Sequence, residues 1–153
     1  MKPIHVLAAV AGVSLAALAA CAPSSPYKER SDLVSNPAAC APKRFEVYFD
    51  NDQARLTPAA REAVSLTATQ LQGCDVTKVQ VLGLADARSG TAAANQTLSE
   101  RRARAVAEVL AAAGLPAPAF EVEAAGADGA RVNGVNDPLR RRTEVLIEAR
   151  PRR

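Results

Sequence analysis

The sequence predicts an α/β two-layer sandwich: a mixed four-stranded sheet covered on one face by two helices. Three observations lead there. Apolar periods of two and of about four residues alternate along the chain in a βαβαβ-β order. Two helices are too few to clothe both faces of four strands. The 153 residues are 48% hydrophobic, but much of that is alanine, with three Phe, two Tyr and no Trp, so a single modest core is all they can build.

The first strand is read in RFEVYFD, Arg44 to Asp50, where Phe45, Val47 and Phe49 alternate with Glu46, Tyr48 and Asp50. Thr57 followed by Pro58 is a cap with proline at the first helical position, and the first helix runs to about Gln72, with Gly73 as its stop. Val64, Ala68 and Leu71 mark its buried stripe. KVQVLGLA, Lys78 to Ala85, is the second strand. The second helix is expected from about Leu98 to Ala113, ended by Gly114 and Pro116. Phe120 and Val122 fall in a third strand, and TEVLIEA, Thr143 to Ala149, forms the fourth. No internal repeat is evident.

The N-terminus indicates a compartment. Residues 6–20 carry no charge, and a run this short suits a secretory signal peptide better than a membrane span of roughly 20 residues. LAAC, Leu18 to Cys21, resembles a bacterial lipobox, which implies cleavage after residue 20 and a diacylglycerol plus an N-acyl chain such as palmitate on Cys21. Acyl chains in that number anchor a protein stably. Ala22, where an aspartate would stand for retention, implies transfer to the outer membrane. An ordinary secreted chain cut near Ala20 is the alternative. Residues 21–43, the lipidated N-terminus with a segment rich in Pro, Ser, Ala and charge, read as a tether of on the order of 25 Å ahead of a domain over residues 44–150.

Composition also excludes chemistry. The one histidine, His5, lies in the leader, so histidine-dependent nucleophilic catalysis and histidine-ligated zinc are ruled out of the mature chain, and no cofactor or metal is expected. Loss of Lys2 leaves 18 basic against 16 acidic residues, too small an excess to imply nucleic acid, and no aromatic interleaves the arginine clusters. Cys40 and Cys74 are an even pair in an oxidising compartment, either bridged or buried as two free thiols.

One side chain stands out. Val106, Val109, Leu110 and Ala113 define the apolar stripe of the second helix, and stepping back four residues from Val106 reaches Arg102. Arg101 and Arg104 fall on the outer face, whereas Arg102 turns toward the sheet without an acidic residue four positions away. An unpaired guanidinium near a core is costly, and at a helix start it also opposes the dipole. Asp86, delivered by GLAD to the end of the second strand, can stand opposite it. Asp86 and Arg102 are then either a structural ion pair or a site for a ligand carrying an ammonium and a carboxylate, helped by the amides of the helix N-terminus.

These residues carry a family likeness. Gly83, Asp86, Asn95, Leu98, Ser99, Arg102 and Ala103 resemble the signature of the OmpA-like peptidoglycan-binding domain, as in peptidoglycan-associated lipoproteins. VYFDNDQARL resembles the opening motif of that family and RRRTEV its closing motif, over about residues 44–149. The sequence departs in having Ala85 for the usual threonine, Asn51 for an aromatic and Arg140 for an asparagine. The resemblance implies the OmpA C-terminal-like fold and noncovalent grip on the diaminopimelate of peptidoglycan stem peptides by Asp86 and Arg102, with Asn95 and Asp52 as further polar contacts. The function implied is that of an outer-membrane lipoprotein on the periplasmic side, tethering membrane to wall without catalysis. Implied partners are peptidoglycan, the outer membrane through the lipid anchor and envelope proteins such as Tol-system components. Two rivals remain: an envelope protein-interaction subunit that docks through its sheet face or basic loop, and a wall hydrolase, which would need a catalytic carboxylate.

Overall fold

The computed structural model describes residues 40–152 apart from residue 89. The leader, the lipidation position Cys21 and the tether up to residue 39 lie outside the described residues. In chain order the elements are β1 (Lys43–Tyr48), α1 (Pro58–Thr69), β2 (Cys74–Gly83), α2 (Ala92–Ala112), β3 (Phe120–Ala124), β4 (Arg131–Val132), β5 (Val135–Asn136) and β6 (Arg142–Pro151). Strands β1, β6, β2 and β3 form one mixed sheet in that spatial order, and β4 with β5 forms a separate hairpin.

Strand β6 lies between β1 and β2 and is antiparallel to both, with Val47 opposite Thr143 and Thr143 opposite Gly83. Strand β3 joins β2 in parallel, so the chain must return along the sheet between them, and α2 is that crossover. Alternation divides the sheet faces. Val47, Val79, Val81, Val145 and Ile147 are buried beneath the helices, whereas Arg44, Glu46 and Glu148 stand exposed on the uncovered face. From the helices, Val64, Ala68, Val106 and Leu110 complete the core.

The helices form for local reasons. Thr57 Oγ1 accepts the Ala60 amide at 3.1 Å, and Pro58 presets the first turn of α1. Helix α2 begins earlier than the sequence reading placed it: Thr91 is its cap, accepting the Ala94 amide at 3.2 Å, and Ala92 is its first residue. Arg102 therefore stands near the middle of a 21-residue helix rather than at its start. The dipole acts on the first turn and does not bear on Arg102, and the free amides of that turn are not beside it. The other boundaries differ by a few residues: α1 ends at Thr69, β2 begins at Cys74 and β6 runs on to Pro151.

One element was absent from the sequence reading. The β4–β5 hairpin occupies what was read as loop, with Asn133 and Gly134 both at positive φ (53° and 79°), the pairing a tight two-residue hairpin requires. Of the two states open to Cys40 and Cys74, 34 positions apart, the structure has the bridged one. Cys74 opens β2, and Lys43, assigned to the tether, is already in β1. Closing a loop of that length stabilises the fold by about 3–4 kcal/mol in the chain-entropy account.

Candidate functional site

Beyond the end of β2 the chain is clamped from both sides. The Leu84 amide donates to Arg142 O at 2.9 Å, and the Ala85 amide to Gly126 O at 2.7 Å. Leu84, Ala85 and Asp86 are all buried as a result. Helix α2 lies directly against this segment, because a Cβ on Gly83 would stand 1.9 Å from Ser99 O. Glycine is what permits that approach. Ser99 Oγ accepts the Gly126 amide at 3.0 Å and fastens the far side.

Arg102 reaches into the same corner and is wholly buried. Its Nε donates to Gln53 O at 2.8 Å, Nη1 to Leu84 O at 2.9 Å and Nη2 to Asp50 O at 3.1 Å. The guanidinium also lies over the Phe49 ring, 5.2 Å from its centroid, a cation–π contact that solvates charge inside the core. Three segments remote in sequence are knotted together by one side chain. Burial pushes the Arg102 guanidinium below its ordinary pKa; Asp86 acts the other way, Arg141 reinforces the burial, Asp52 opposes it and Arg101 reinforces it. An arginine stays charged under such a load.

Asp86 is 1% exposed and makes a salt bridge to Arg141 Nη1 at 3.1 Å. Arg141 lies in the turn before β6, where its carbonyl accepts the Phe49 amide at 2.8 Å. Its side chain is 26% exposed and its Nε is buried without a hydrogen-bond partner. Asn136, from β5, accepts the Ala87 amide on Oδ1 at 2.7 Å and so ties the hairpin to the segment that carries Asp86.

The structure thus gathers Asp86, Arg102 and Arg141 at one end of the sheet. Asp52 stands nearby on an exposed turn with φ of 54° and is felt electrostatically by Arg102. Asn95 is 3% exposed in the first part of α2, and its Oδ1 has no hydrogen-bond partner. Among the described residues no group of three or more His, Cys, Asp or Glu could hold a metal. Sequence reasoning missed Arg141, which it left within the closing motif Arg140 to Arg142. Its position two residues before the strongly alternating TEVLIEA was the available signal, since it places Arg141 at the same sheet end as Asp86.

Comparison with known proteins shows the family of the chain. A profile of the OmpA family matches residues 48–143, more than half of the chain. The chain belongs to the OmpA family. Relatives include the outer-membrane lipoprotein YfiB of Pseudomonas aeruginosa, 41% identical over 81 residues, 53% of this chain and 48% of that one. Outer membrane protein A of Klebsiella pneumoniae is 35% identical over 109 residues, covering 70% of this chain and 29% of the relative. The chain thus matches under half the length of these relatives. Among solved structures, the OmpA-like domain of FopA1 from Francisella tularensis superposes with a TM-score of 0.61 at 24% identity, covering 72% of this chain and 73% of the other. The peptidoglycan-associated lipoprotein of Burkholderia pseudomallei gives 0.59 at 24% identity, covering 69% and 91%. Both likenesses bear on the fold, which is the OmpA-like sandwich. The OmpA family is a binding family and not an enzymatic one.

Proposed function

We propose that this OmpA-family chain is an outer-membrane lipoprotein, lipidated at Cys21 after loss of residues 1–20, whose periplasmic domain binds peptidoglycan noncovalently through diaminopimelate and tethers membrane to wall. The observation that carries this reading is the convergence of two arginines on the buried carboxylate of Asp86, where β2 hands the chain to the loop before α2. A zwitterionic amino-acid end fits such a corner. Asp86 takes the ammonium, which does not require it to release Arg141, because a carboxylate offers about four lone-pair positions. The arginines supply positive charge for the carboxylate. Asn95 Oδ1, buried and without a partner, suits an N–H donor of the ligand, and Asp52 stands at the exposed edge.

The polarity of the domain supports tethering. Cys40 is bonded to Cys74 at the start of β2, and Asp86 lies past its end. A ten-residue strand spans about 30 Å, so the tether joins the pole opposite the site. Relatives named for the outer membrane favour the same compartment.

The experiment is cosedimentation with purified diaminopimelate-type sacculi. Asp86→Asn keeps the shape and removes the charge; it is expected to abolish cosedimentation with an unchanged circular dichroism spectrum. Retained binding would sink the reading. It would favour instead an envelope protein-interaction subunit docking through the uncovered sheet face, where Leu82 and Leu146 floor a cleft of about 240 Å³ bordered by Glu46, Glu121 and Glu144.

A further inference from the structure

We propose that Arg141 is the carboxylate-binding residue of this site and makes it selective for an amino acid whose carboxylate is free rather than amidated. The inference rests on the diaminopimelate reading of the site given above. Arg102 is 0% exposed and Asp86 1%, and Arg141 is bonded to that same Asp86. Two guanidiniums thus share one buried carboxylate, since Asp52 is exposed and screened by water. The charge of Arg102 is met by Asp86, three carbonyls and the Phe49 ring, so the guanidinium with hydrogen-bonding capacity left for an anion is that of Arg141.

The two arginines are not equally able to supply its partner. Arg102 has Nε, Nη1 and Nη2 each directed at a backbone carbonyl, and it is closed to solvent. Its work is to bind Asp50, Gln53 and Leu84 together. Arg141 has Nη1 on Asp86 and a buried Nε without a partner, while a quarter of its side chain meets solvent. The guanidinium edge that sets Nε beside an Nη can take a carboxylate in two parallel hydrogen bonds.

Geometry matches the ligand as well. In an α-amino acid the ammonium and carboxylate are held one carbon apart, and in the site their proposed receivers, Asp86 and Arg141, are in contact at 3.1 Å. Arg141 is also held in place before any ligand arrives. Its amide donates to Pro138 O at 3.2 Å, its carbonyl accepts from Phe49, and Asp137 caps the turn by accepting the Leu139 amide at 2.9 Å. Preorganisation of this kind spares the ordering cost of binding.

The test uses the full-length protein in detergent and two muropeptide probes that differ only in whether the diaminopimelate carboxylate is free or amidated, with affinities from calorimetry. A charged hydrogen-bonded pair implies that the wild type binds the free acid about tenfold or more tightly than the amide. Arg141→Gln is expected to bind both probes equally, at the level of the amide, and Arg141→Lys to recover part of the preference. Equal affinity of the wild type for both probes would overturn the proposal, as would an Arg141→Gln protein that still discriminates. If Arg141→Gln does not fold, Arg141→Lys decides, and an unreduced preference in it overturns the proposal. Asp86→Asn separates the two levels: wild-type affinity in Asp86→Asn overturns the site reading itself, whereas lost binding there beside unchanged discrimination in the Arg141 variants overturns this inference alone.

Discussion

Among the described residues Arg102 is the largest fully buried side chain. Its inward direction was legible, because helical spacing from Val106 demands it. Its partners were not legible, because three of them are backbone carbonyls supplied by residues 50, 53 and 84, which no side-chain pattern announces. Arg102→Met keeps the apolar stem and strips the donors from Asp50, Gln53 and Leu84. The bond to Leu84 is buried and those to Gln53 and Asp50 are part-buried; a buried acceptor left unmet costs about 1–3 kcal/mol and the wetter two less, so the variant is expected to lose roughly 2–4 kcal/mol in chemical denaturation. Unaltered stability would show that water replaces the guanidinium at no cost. Loss of wall binding in an Arg102 variant therefore reports on the fold as well as the ligand. Tyr48 offers a contrasting residue at the surface, where its hydroxyl donates to Glu46 Oε2 at 2.5 Å. That hydrogen bond is the chief cause holding the Tyr48 pKa above the ordinary tyrosine value. The neutral phenol is the favoured form in the folded state, so the contact is fully present below the ordinary tyrosine pKa and is lost as pH rises through the raised one. Glu46→Gln is expected to bring the Tyr48 titration back toward lower pH, followed by tyrosinate absorbance; an unmoved midpoint would separate the shift from Glu46.

At the scale of elements, the sequence reading located every long strand and both helices, and failed where apolar periodicity is silent. The first turns of α2 are built from Ala92, Ala93 and Ala94, which are exposed and carry no buried stripe. Alanine's helix propensity and the Thr91 cap form those turns, and neither contributes to a hydrophobic pattern. The β4–β5 hairpin escaped notice because its strands are two residues each, held by the Asn133–Gly134 turn, and bury nothing of their own. By contrast, Gly83 joins element to element in a way the sequence motif marks but does not explain. With Ser99 O 1.9 Å and Ala103 Cβ 3.0 Å from the place a Cβ would occupy, Gly83→Ala forces α2 away from β2. The obstacle is helix backbone, which cannot rotate aside as a side chain would. Overpacking of this kind costs typically 1–3 kcal/mol and at backbone contacts more, so Gly83→Ala is expected to cost about 3 kcal/mol. The same displacement shifts Arg102 relative to Leu84 and Asp86, and wall binding is expected to fall even at temperatures where the variant is folded. Thermal melting and cosedimentation on one preparation measure both; full binding with lowered stability would show that the corner tolerates a moved helix.

For the whole molecule, the architecture followed from counting: four strands, two helices and one modest core leave a sheet with one covered face, and the structure has that arrangement. What counting could not supply is polarity, because that depends on which ends of the strands share a pole. Strands β1 and β2 both run antiparallel to β6, so Lys43 and Cys74 begin at the end where β6 finishes, and Asp86 and Arg141 collect at the end where β6 starts. The disulfide fixes Cys40, near the end of the tether, to the first of these poles. Under the proposed function, lipid anchors the protein on one side and the site grips the wall on the other, and this polarity suits it because the tether would lengthen the reach of the site instead of competing with the wall for the same surface. Tether length becomes a functional variable separable from the site. Deleting residues 24–37 leaves Cys21 and the disulfide in place and shortens the greatest possible reach by about 45 Å, at roughly 3.3 Å per residue. The full-length deletion protein is expected to bind isolated sacculi as the wild type does, because the site is untouched. In intact cells, cross-linking of the deletion protein to the sacculus is expected to fall several-fold, because the site no longer spans from membrane to wall. Equal cross-linking of both proteins in cells would mean that the domain reaches the wall without the tether; equal loss in cells and on isolated sacculi would mean that residues 24–37 take part in binding itself.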